Sequence, residues 1–337
     1  MSGAGSGPGP QGGTTGGASS GTGNASAGAT NAQGGGGRSV GGGGNAGAPA
    51  AGDGIASKYP GDQGIANDPT VIFADDFESY AKASDLSQKW DNFYQQDDTR
   101  LATAASDVFA GKQSLELTVP QQDAELSNAV DKHVSPELDA IYLRYYAKFQ
   151  APYDVVGSSH NGSSISAHYF NGNQATPGVR ADGTNKFLVN LENWRGEAAT
   201  ASPGFLNVYV YHPAQRDDYG DHFFPTGLVM PNTSLPFDFG PDFVKRPDVI
   251  PELERWYCYE YLVKANTPGQ KDGRISFWLD GKLIGDFPNL HLRDVASLKI
   301  DHLQLSFHIH DNPNGETKRW FDNVVAATTY IGPLKKP

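Results

Sequence analysis

One segment near the C-terminus alternates side chains that could do chemistry with side chains that could form a core. In residues 303–310 the odd-numbered side chains are apolar, and the even-numbered ones are Gln304, Ser306, His308 and His310. Because successive side chains of a strand point to opposite faces, the polar set should lie together on one face. Two imidazoles and an amide in register predict a binding face for a ligand rich in hydroxyl groups.

The same alternation recurs in other segments, and their polar rows have an unusual composition. A solvent-facing row in a sandwich is expected to be polar, but these rows are rich in Tyr, Trp, His and Asn. Aromatic rings stack on the C–H faces of sugars, while amides and guanidinium groups bond hydroxyls and carboxylates. The pattern therefore predicts a sugar-binding face. The row residues outside 303–310 include Arg144, Tyr146, Lys148, Ser164, Ser166, His168, Asn190, Glu192, Trp194, Asn207, Tyr209, Tyr211, Ser276 and Trp278.

Short strand-like segments separated by turn residues must position these rows, and they predict an all-β sandwich or jelly roll. The Asp280-Gly281 pair between two apolar segments predicts a hairpin. Two long inserts, 155–162 and 211–251, predict loops that line a concave face. The predicted strands are 70–74, 113–119, 141–150, 163–170, 186–194, 205–211, 255–264, 274–279, 282–287, 298–310 and 319–330.

The chain divides sharply in composition. Of the 41 glycines, 22 lie in the first 54 residues, a stretch with almost no large apolar side chain. Such a segment cannot bury enough surface to offset the entropy of ordering. We therefore predict a disordered tether over residues 1–60 and a single β domain over residues 61–337.

Charge and composition limit the partners and the location that the protein can have. The net charge of −12 argues against nucleic acid, which favours a basic surface. No run approaches the roughly 18 apolar residues of a membrane-spanning helix, and Cys258 alone cannot form an internal disulfide. Met1 followed by a Gly/Ser tether resembles a chain that starts after a signal or lipoprotein cysteine. We expect a monomer that is exported, either extracellular or lipid-anchored, with a cytoplasmic protein as the alternative.

Segments near both ends of the predicted domain resemble a known family. Residues 72–78 (IFADDFE) and 320–325 (WFDNVV) resemble the terminal strands of concanavalin A-like jelly rolls. Residues 111–117 resemble the second strand of those proteins, and 141–149 is similar to a strand of their secreted polysaccharide lyases. Those lyases are the glucuronan, alginate and heparin-lyase-like groups. The resemblance implies a jelly roll and cleavage of a uronate-containing polysaccharide by β-elimination.

This chemistry needs a group that neutralises the uronate carboxylate, a base, and an acid for the leaving oxygen. Candidate neutralising groups are Arg144, Asn190 and Gln304. Candidate bases are His168, His308 and His310. Candidate acids are Tyr146, Tyr209 and Tyr211. Further contacts with substrate are expected from Lys148, Glu192, Trp194, Ser276 and Trp278, together with Asn190 and Gln304.

Three other functions are compatible with the sequence. A glycoside hydrolase would need two flanking carboxyl groups, for which Glu192 and Glu260 are the candidates. A metal enzyme could use the His308 and His310 pair, completed by His168, His212 or His222. A non-catalytic carbohydrate-binding or adhesion module would use the polar rows without turnover.

A structural calcium ion is a separate expectation. Asp75, Asp76 and Glu78 lie near one end of the predicted domain, and Asp322 lies near the other. If the first and last strands pair, these oxygen ligands would meet, and they suit Ca²⁺. We expect no organic cofactor.

Overall fold

The computed structural model describes residues 53–155, 159–195, 201–215, 217–225, 249–310 and 312–336. The predicted tether, residues 1–60, lies outside the described residues except for 53–60. In that stretch Ile55 and Ala56 are buried and pack with Ile331 in a small apolar cluster. Ile55 and Ala56, which the prediction assigned to the tether, therefore pack as part of the folded domain.

The described residues form strands and short 3₁₀ helices. The strands are β1 (Val71–Asp75), β2 (Asn92–Phe93), β3 (Thr99–Ala102), β4 (Ser114–Val119), β5 (Leu126–Leu138), β6 (Ala140–Phe149), β7 (Ser159–His160), β8 (Ser163–Ala167), β9 (Phe170–Asn171), β10 (Gln174–Ala175), β11 (Phe187–Trp194), β12 (Phe205–Tyr211), β13 (Asp221–Phe223), β14 (Tyr257–Lys264), β15 (Gly273–Leu279), β16 (Lys282–Leu290), β17 (Ile300–Ile309) and β18 (Thr317–Ala327). The 3₁₀ helices are Ile55–Lys58, Pro60–Asp62, Ile65–Asn67, Ala83–Gln88, Gln96–Asp98 and Ala105–Asp107.

The strands build two large antiparallel sheets, which confirms the predicted jelly-roll sandwich. Sheet I has the order β16-β15-β14-β6-β18-β4-β3, and β1 also pairs with β18. Sheet II has the order β13-β12-β11-β8-β17-β5-β2, and β7 also pairs with β17. Strands β9 and β10 form a separate ribbon. The first strand also pairs with the last, which was the condition for the predicted calcium ligands to approach one another.

The core lies between the two sheets and takes the apolar side of each strand. Leu303, Leu305 and Phe307 of β17 are at most 2% exposed and pack in one cluster with Tyr145 and Tyr259 of sheet I. Burying one such side chain contributes about 1.5–3 kcal/mol relative to leaving it exposed. This burial fixes the phase of β17 and turns its even-numbered side chains to the other side of sheet II.

The predicted hairpin is confirmed, and one long strand was not predicted. Asp280 and Gly281 both have positive φ, 50° and 75°, as a two-residue type I′ turn requires. Strand β5 was missed because Val130 and Val134 are its only well-buried large apolar residues and its second half is polar. The predicted strand 163–170 ends at Ala167, since His168 has φ 49°.

Candidate functional site

Sheet II presents a register-matched polar row on the side away from the core. Gln304 pairs with Ser164, Ser164 with Asn190, Asn190 with Tyr209, and Tyr209 with His222. Neighbouring strands lie about 4.8 Å apart, so the row covers about 19 Å across the sheet. We call this surface, with the side chains above and below the row, the polar face of sheet II. Its length suits an extended polymer laid across the strands.

A carboxylate–imidazole pair lies at the centre of the polar face. Oε2 of Glu192 is 2.6 Å from Nδ1 of His160. The Glu192 side chain is fully buried, whereas that of His160 is 26% exposed. The His160 ring contacts the Tyr209 ring, with centroids 4.7 Å apart. Burial raises the pKa of Glu192, and the His160 imidazole opposes this shift. The buried carboxylate orients the His160 ring.

His160 was not identified from the sequence. It lies in the insert 155–162, in a strand of two residues that pairs with β17. A segment this short shows no alternation from which a face could be assigned. Its proximity to Glu192 depends on pairing between distant segments, which only the fold supplies.

Two further histidines flank this pair and remain neutral near pH 7. Burial, with His160 nearby, lowers the pKa of His222 and of His308 to about 3. Nδ1 of His308 is 2.7 Å from Oγ of Ser127, and the His308 ring stacks on His160 at 5.3 Å. Nδ1 of His222 is 3.0 Å from Oδ1 of Asn207. Neutral imidazoles held in this way can exchange hydrogen bonds with sugar hydroxyls.

Tyr209 is kept protonated by its surroundings. Burial, and then the adjacent Tyr211, raise its pKa. Its hydroxyl oxygen accepts the backbone N–H of Gly220 at 2.8 Å. Beyond Tyr211, the ammonium of Lys186 lies over the rings of Tyr169 and Tyr211, and burial lowers its pKa to about 8. Tyr209 therefore keeps its proton near neutral pH, and its ring contacts the His160 imidazole.

The other end of the polar row is organised by Asp131, which the sequence reasoning also missed. The Asp131 side chain is fully buried and accepts hydrogen bonds from Nε2 of Gln304 and from the hydroxyl of Tyr94, both at 2.7 Å. Nε2 of His302 lies 3.3 Å from the same carboxylate. Asp131 thus orients the Gln304 amide, so that Gln304 can bind substrate with its remaining N–H and its carbonyl.

Several predicted site residues do not lie on this face, and the expectation of one shared face is wrong for them. They occupy the outer side of sheet I, across the core. Alternation shows which side chains of a strand share a face, but it does not show to which sheet the strand belongs. Arg144 pairs with Asp62, and Tyr146 stacks on Phe109 with centroids 3.6 Å apart. The displaced residues are Arg144, Tyr146, Lys148, Ser276 and Trp278.

The remaining contacts of these residues are internal. Trp278 has no exposed surface and packs with Leu262 and Tyr330, so the expectation of a sugar-stacking ring is wrong. Lys148 is 1% exposed, and its ammonium lies 2.8 Å from Asp107. The hydroxyl of Ser276 donates to Asp286 at 2.7 Å. Lys148 and Ser276 are thus paired with protein groups, whereas the buried Nε1 of Trp278 has no hydrogen-bond partner.

His168 and His310 lie apart from the central pair. His168 follows β8 and its Nε2 is 3.1 Å from Oε1 of Glu137, while its backbone N–H donates to Asp301. This places His168 beside the start of β17, whereas His308 is near the end of that strand. His310 is exposed and follows β17. Trp194, Tyr211 and Asn190 do lie on the polar face.

Among the residues that the structure describes, neither the hydrolase pair nor the histidine metal site is assembled. Glu260 lies on the outer side of sheet I, where it accepts the N–H groups of Ile331 and Gly332. Glu192 lies across the core, beyond the carboxyl spacing of a glycoside hydrolase. In the part of the chain that the structure describes, three potential metal ligands converge within 4.8 Å at Glu137, His168 and Asp301, and no such group includes His308.

The carboxylates predicted to bind calcium already accept hydrogen bonds from other groups of the protein. Asp75 accepts hydrogen bonds from Tyr80 and Trp90 and pairs with Lys89. Asp322 accepts two backbone N–H groups of the 109–110 segment, and Glu78 accepts two of the 112–113 segment. Asp75, Asp76, Glu78 and Asp322 form no group within 4.8 Å among the described residues. Calcium binding stays a prediction.

Solved structures share this fold. The alginate lyase Aly36B superposes with a TM-score of 0.55 at 17% identity, over 77% of this chain and 98% of that chain. Its variant in complex with an alginate tetrasaccharide gives the same values. The alginate lyase vAL-1 from a Chlorella virus gives a TM-score of 0.51 at 15% identity, over 77% of this chain and 99% of that chain. The resemblance to jelly-roll lyases is confirmed at the level of the fold.

The sequence itself has no match of this kind. No protein-family model and no curated protein sequence matches the chain. Across the described ranges, no helix is both long enough and apolar enough to cross a membrane.

Proposed function

We propose that this protein is a polysaccharide lyase that cleaves a uronate-containing polymer by β-elimination on the polar face of sheet II. The observation that carries the proposal is the 2.6 Å pair of His160 and Glu192 in contact with the protonated Tyr209. A base with its orienting carboxylate and a separate proton donor are the groups that elimination requires. The fold shared with alginate lyases supports the same reaction class.

In this proposal His160 accepts the proton from C5 of the uronate. The electron pair of that C–H bond forms the C4=C5 double bond as the C4–O bond breaks. Tyr209 donates its proton to the leaving oxygen. The amides of Asn190 and Gln304 hydrogen-bond the carboxylate, which carries charge as C5 loses its proton. Solvent returns both groups to their starting protonation states.

The test is ultraviolet absorbance of the unsaturated product during incubation with glucuronan, alginate, pectate, heparin-type chains and hyaluronan. We expect one class of polymer to give product. His160→Ala and Tyr209→Phe should each lower kcat by about 10²- to 10⁴-fold with an unchanged thermal midpoint. His168→Ala is the matched control, because it removes an imidazole outside the central pair, and it should retain activity. No product from any polymer with the wild-type protein would contradict the proposal.

A carbohydrate-binding module is the second candidate, and two observations favour it. The Tyr209 hydroxyl already accepts a backbone N–H, and both flanking histidines resist protonation. Such groups suit fixed hydrogen bonds to sugar as well as proton transfer. Saturable binding of a uronate polymer without unsaturated product would assign the polar face to binding alone.

A further inference from the structure

An exposed aromatic ring lies beside the tyrosine end of the polar face. Tyr219 is 59% exposed, and Val179 is 51% exposed. The Tyr219 hydroxyl oxygen lies 3.6 Å from the position that a Cβ on Gly178 would occupy. Burial chiefly raises the pKa of Tyr169 and of Tyr211, and Tyr219 is close enough to add to both shifts. The Tyr219 ring is therefore exposed at the rim of this face, close to Gly178, the chain neighbour of Val179.

The backbone under this ring is held in place by a buried amide. The Gln215 side chain has no exposed surface, and its Nε2 donates to the carbonyl oxygens of Asp217 and Tyr219 at 2.9 and 3.1 Å. Its Oε1 accepts the backbone N–H of His212 at 3.1 Å. A ring that is exposed on an anchored backbone is preorganised for contact, because little ordering remains to oppose binding.

The residue after Tyr219 connects this loop to the site. The backbone N–H of Gly220 donates to the hydroxyl of Tyr209 at 2.8 Å. A Cβ on Gly220 would lie 2.7 Å from the carbonyl oxygen of Val210. No other residue could bring the backbone this close to β12 without displacement. The position of the loop and the orientation of the Tyr209 hydroxyl are therefore coupled.

We propose that Tyr219 is a stacking platform for a sugar bound beyond the cleavage point, and that residues 217–220 couple its occupancy to Tyr209 through the Gly220 N–H. The inference rests on the proposed function and deepens it. Its ligand is a pyranose ring that presents an apolar C–H face within a long chain. A polymer that reaches Tyr219 should be cleaved more efficiently than an oligomer too short to reach it.

The experiment compares Tyr219→Ala with Tyr219→Phe, which keeps the ring, and with Ile72→Ala, which removes another exposed apolar side chain. Initial rates are measured on the polymer and on oligomers of increasing length. For the polymer, Tyr219→Ala should lower kcat/KM about two- to tenfold, with KM raised and kcat lowered. The shortest cleaved oligomer should show no change, and Tyr219→Phe and Ile72→Ala should match the wild type.

Equal losses at every chain length, or no loss with the polymer, would overturn the platform. A rise in KM with unchanged kcat would overturn the coupling to Tyr209. Measuring affinity for the same polymer by calorimetry tests this inference independently of the proposed function. Without turnover by the wild type, weaker polymer binding by Tyr219→Ala would still support the platform. Unchanged affinity would refute it.

Discussion

The residue that matters most to the candidate chemistry is the buried Glu192, since it determines how His160 is presented. Its Oε2 bonds His160, and its Oε1 lies 3.6 Å from Nδ1 of His222. An imidazole next to a buried carboxylate has one nitrogen occupied, which leaves Nε2 for substrate. In the proposed elimination, the carboxylate would also stabilise the imidazolium that forms when His160 takes the proton.

Glu192→Gln should lower kcat about tenfold or more, because the imidazolium loses its counter-charge while the side chain keeps its shape. The loss should persist across the pH range in which wild-type activity is constant. Glu137→Gln is the control, since Glu137 pairs with the exposed His168, and it should behave as wild type. Full activity of Glu192→Gln would mean that His160 does not act as the base.

At the scale of the strands, alternation predicted which side chains share a face, and it could not predict which strands share a sheet. For β17, β11 and β12 the apolar and polar rows were assigned correctly, so Gln304, Asn190 and Tyr209 were placed together before the fold was known. Arg144 lay in an equally regular row, but its strand belongs to the other sheet. His160 and Asp131 had no periodic signal and depend on long-range pairing.

The β15–β16 hairpin gives a test of turn geometry. Gly281 has φ 75°, and a Cβ there would lie 2.7 Å from Cγ of Pro333. Gly281→Ala should therefore lower the free energy of unfolding by more than about 1 kcal/mol, from backbone strain and from displacement of the C-terminal segment. Gly269→Ala is the matched control: it has φ 78° and open space around its Cβ position, so only strain applies. Equal losses in denaturant unfolding would argue against the contact with Pro333.

At the scale of the whole molecule, buried ionisable groups on the two outer faces make stability depend on pH in opposite directions. Glu260 and Asp322 of sheet I each have a pKa raised to about 7, mainly by burial. Both accept backbone N–H groups of segments that cover the outer side of sheet I. On sheet II, burial lowers the pKa of His222 and His308 to about 3.

The thermal midpoint should pass through a maximum at mildly acidic pH. A raised carboxyl pKa adds stability at low pH that is lost as pH rises from about 4 through about 7. A lowered imidazole pKa adds stability at high pH that is lost as pH falls from about 6.5 toward about 3. Scanning calorimetry between pH 3 and 9 measures the thermal midpoint on the acidic and the alkaline limb of this profile, that is, on either side of the maximum.

Substitutions identify which ionisable groups are responsible for each limb of the pH profile. Glu260→Gln and Asp322→Asn should flatten the alkaline limb, and His308→Gln should flatten the acidic limb. His291→Gln, which changes a partly exposed histidine paired with Asp294, should leave the profile unchanged. A profile that rises steadily to pH 9 would show that the buried carboxyl groups of sheet I do not control stability.

The two ends of the described segment meet on the side of the sandwich remote from the polar face. Ile55 and Ala56 bond the backbone of residues 330 and 331, and Asp53 pairs with Lys335 at 3.1 Å. A bead, electrode or fusion partner coupled near either end would therefore attach at nearly the same place. Immobilised in this orientation, the molecule would leave its row of amides, phenols and imidazoles turned toward the surrounding solution.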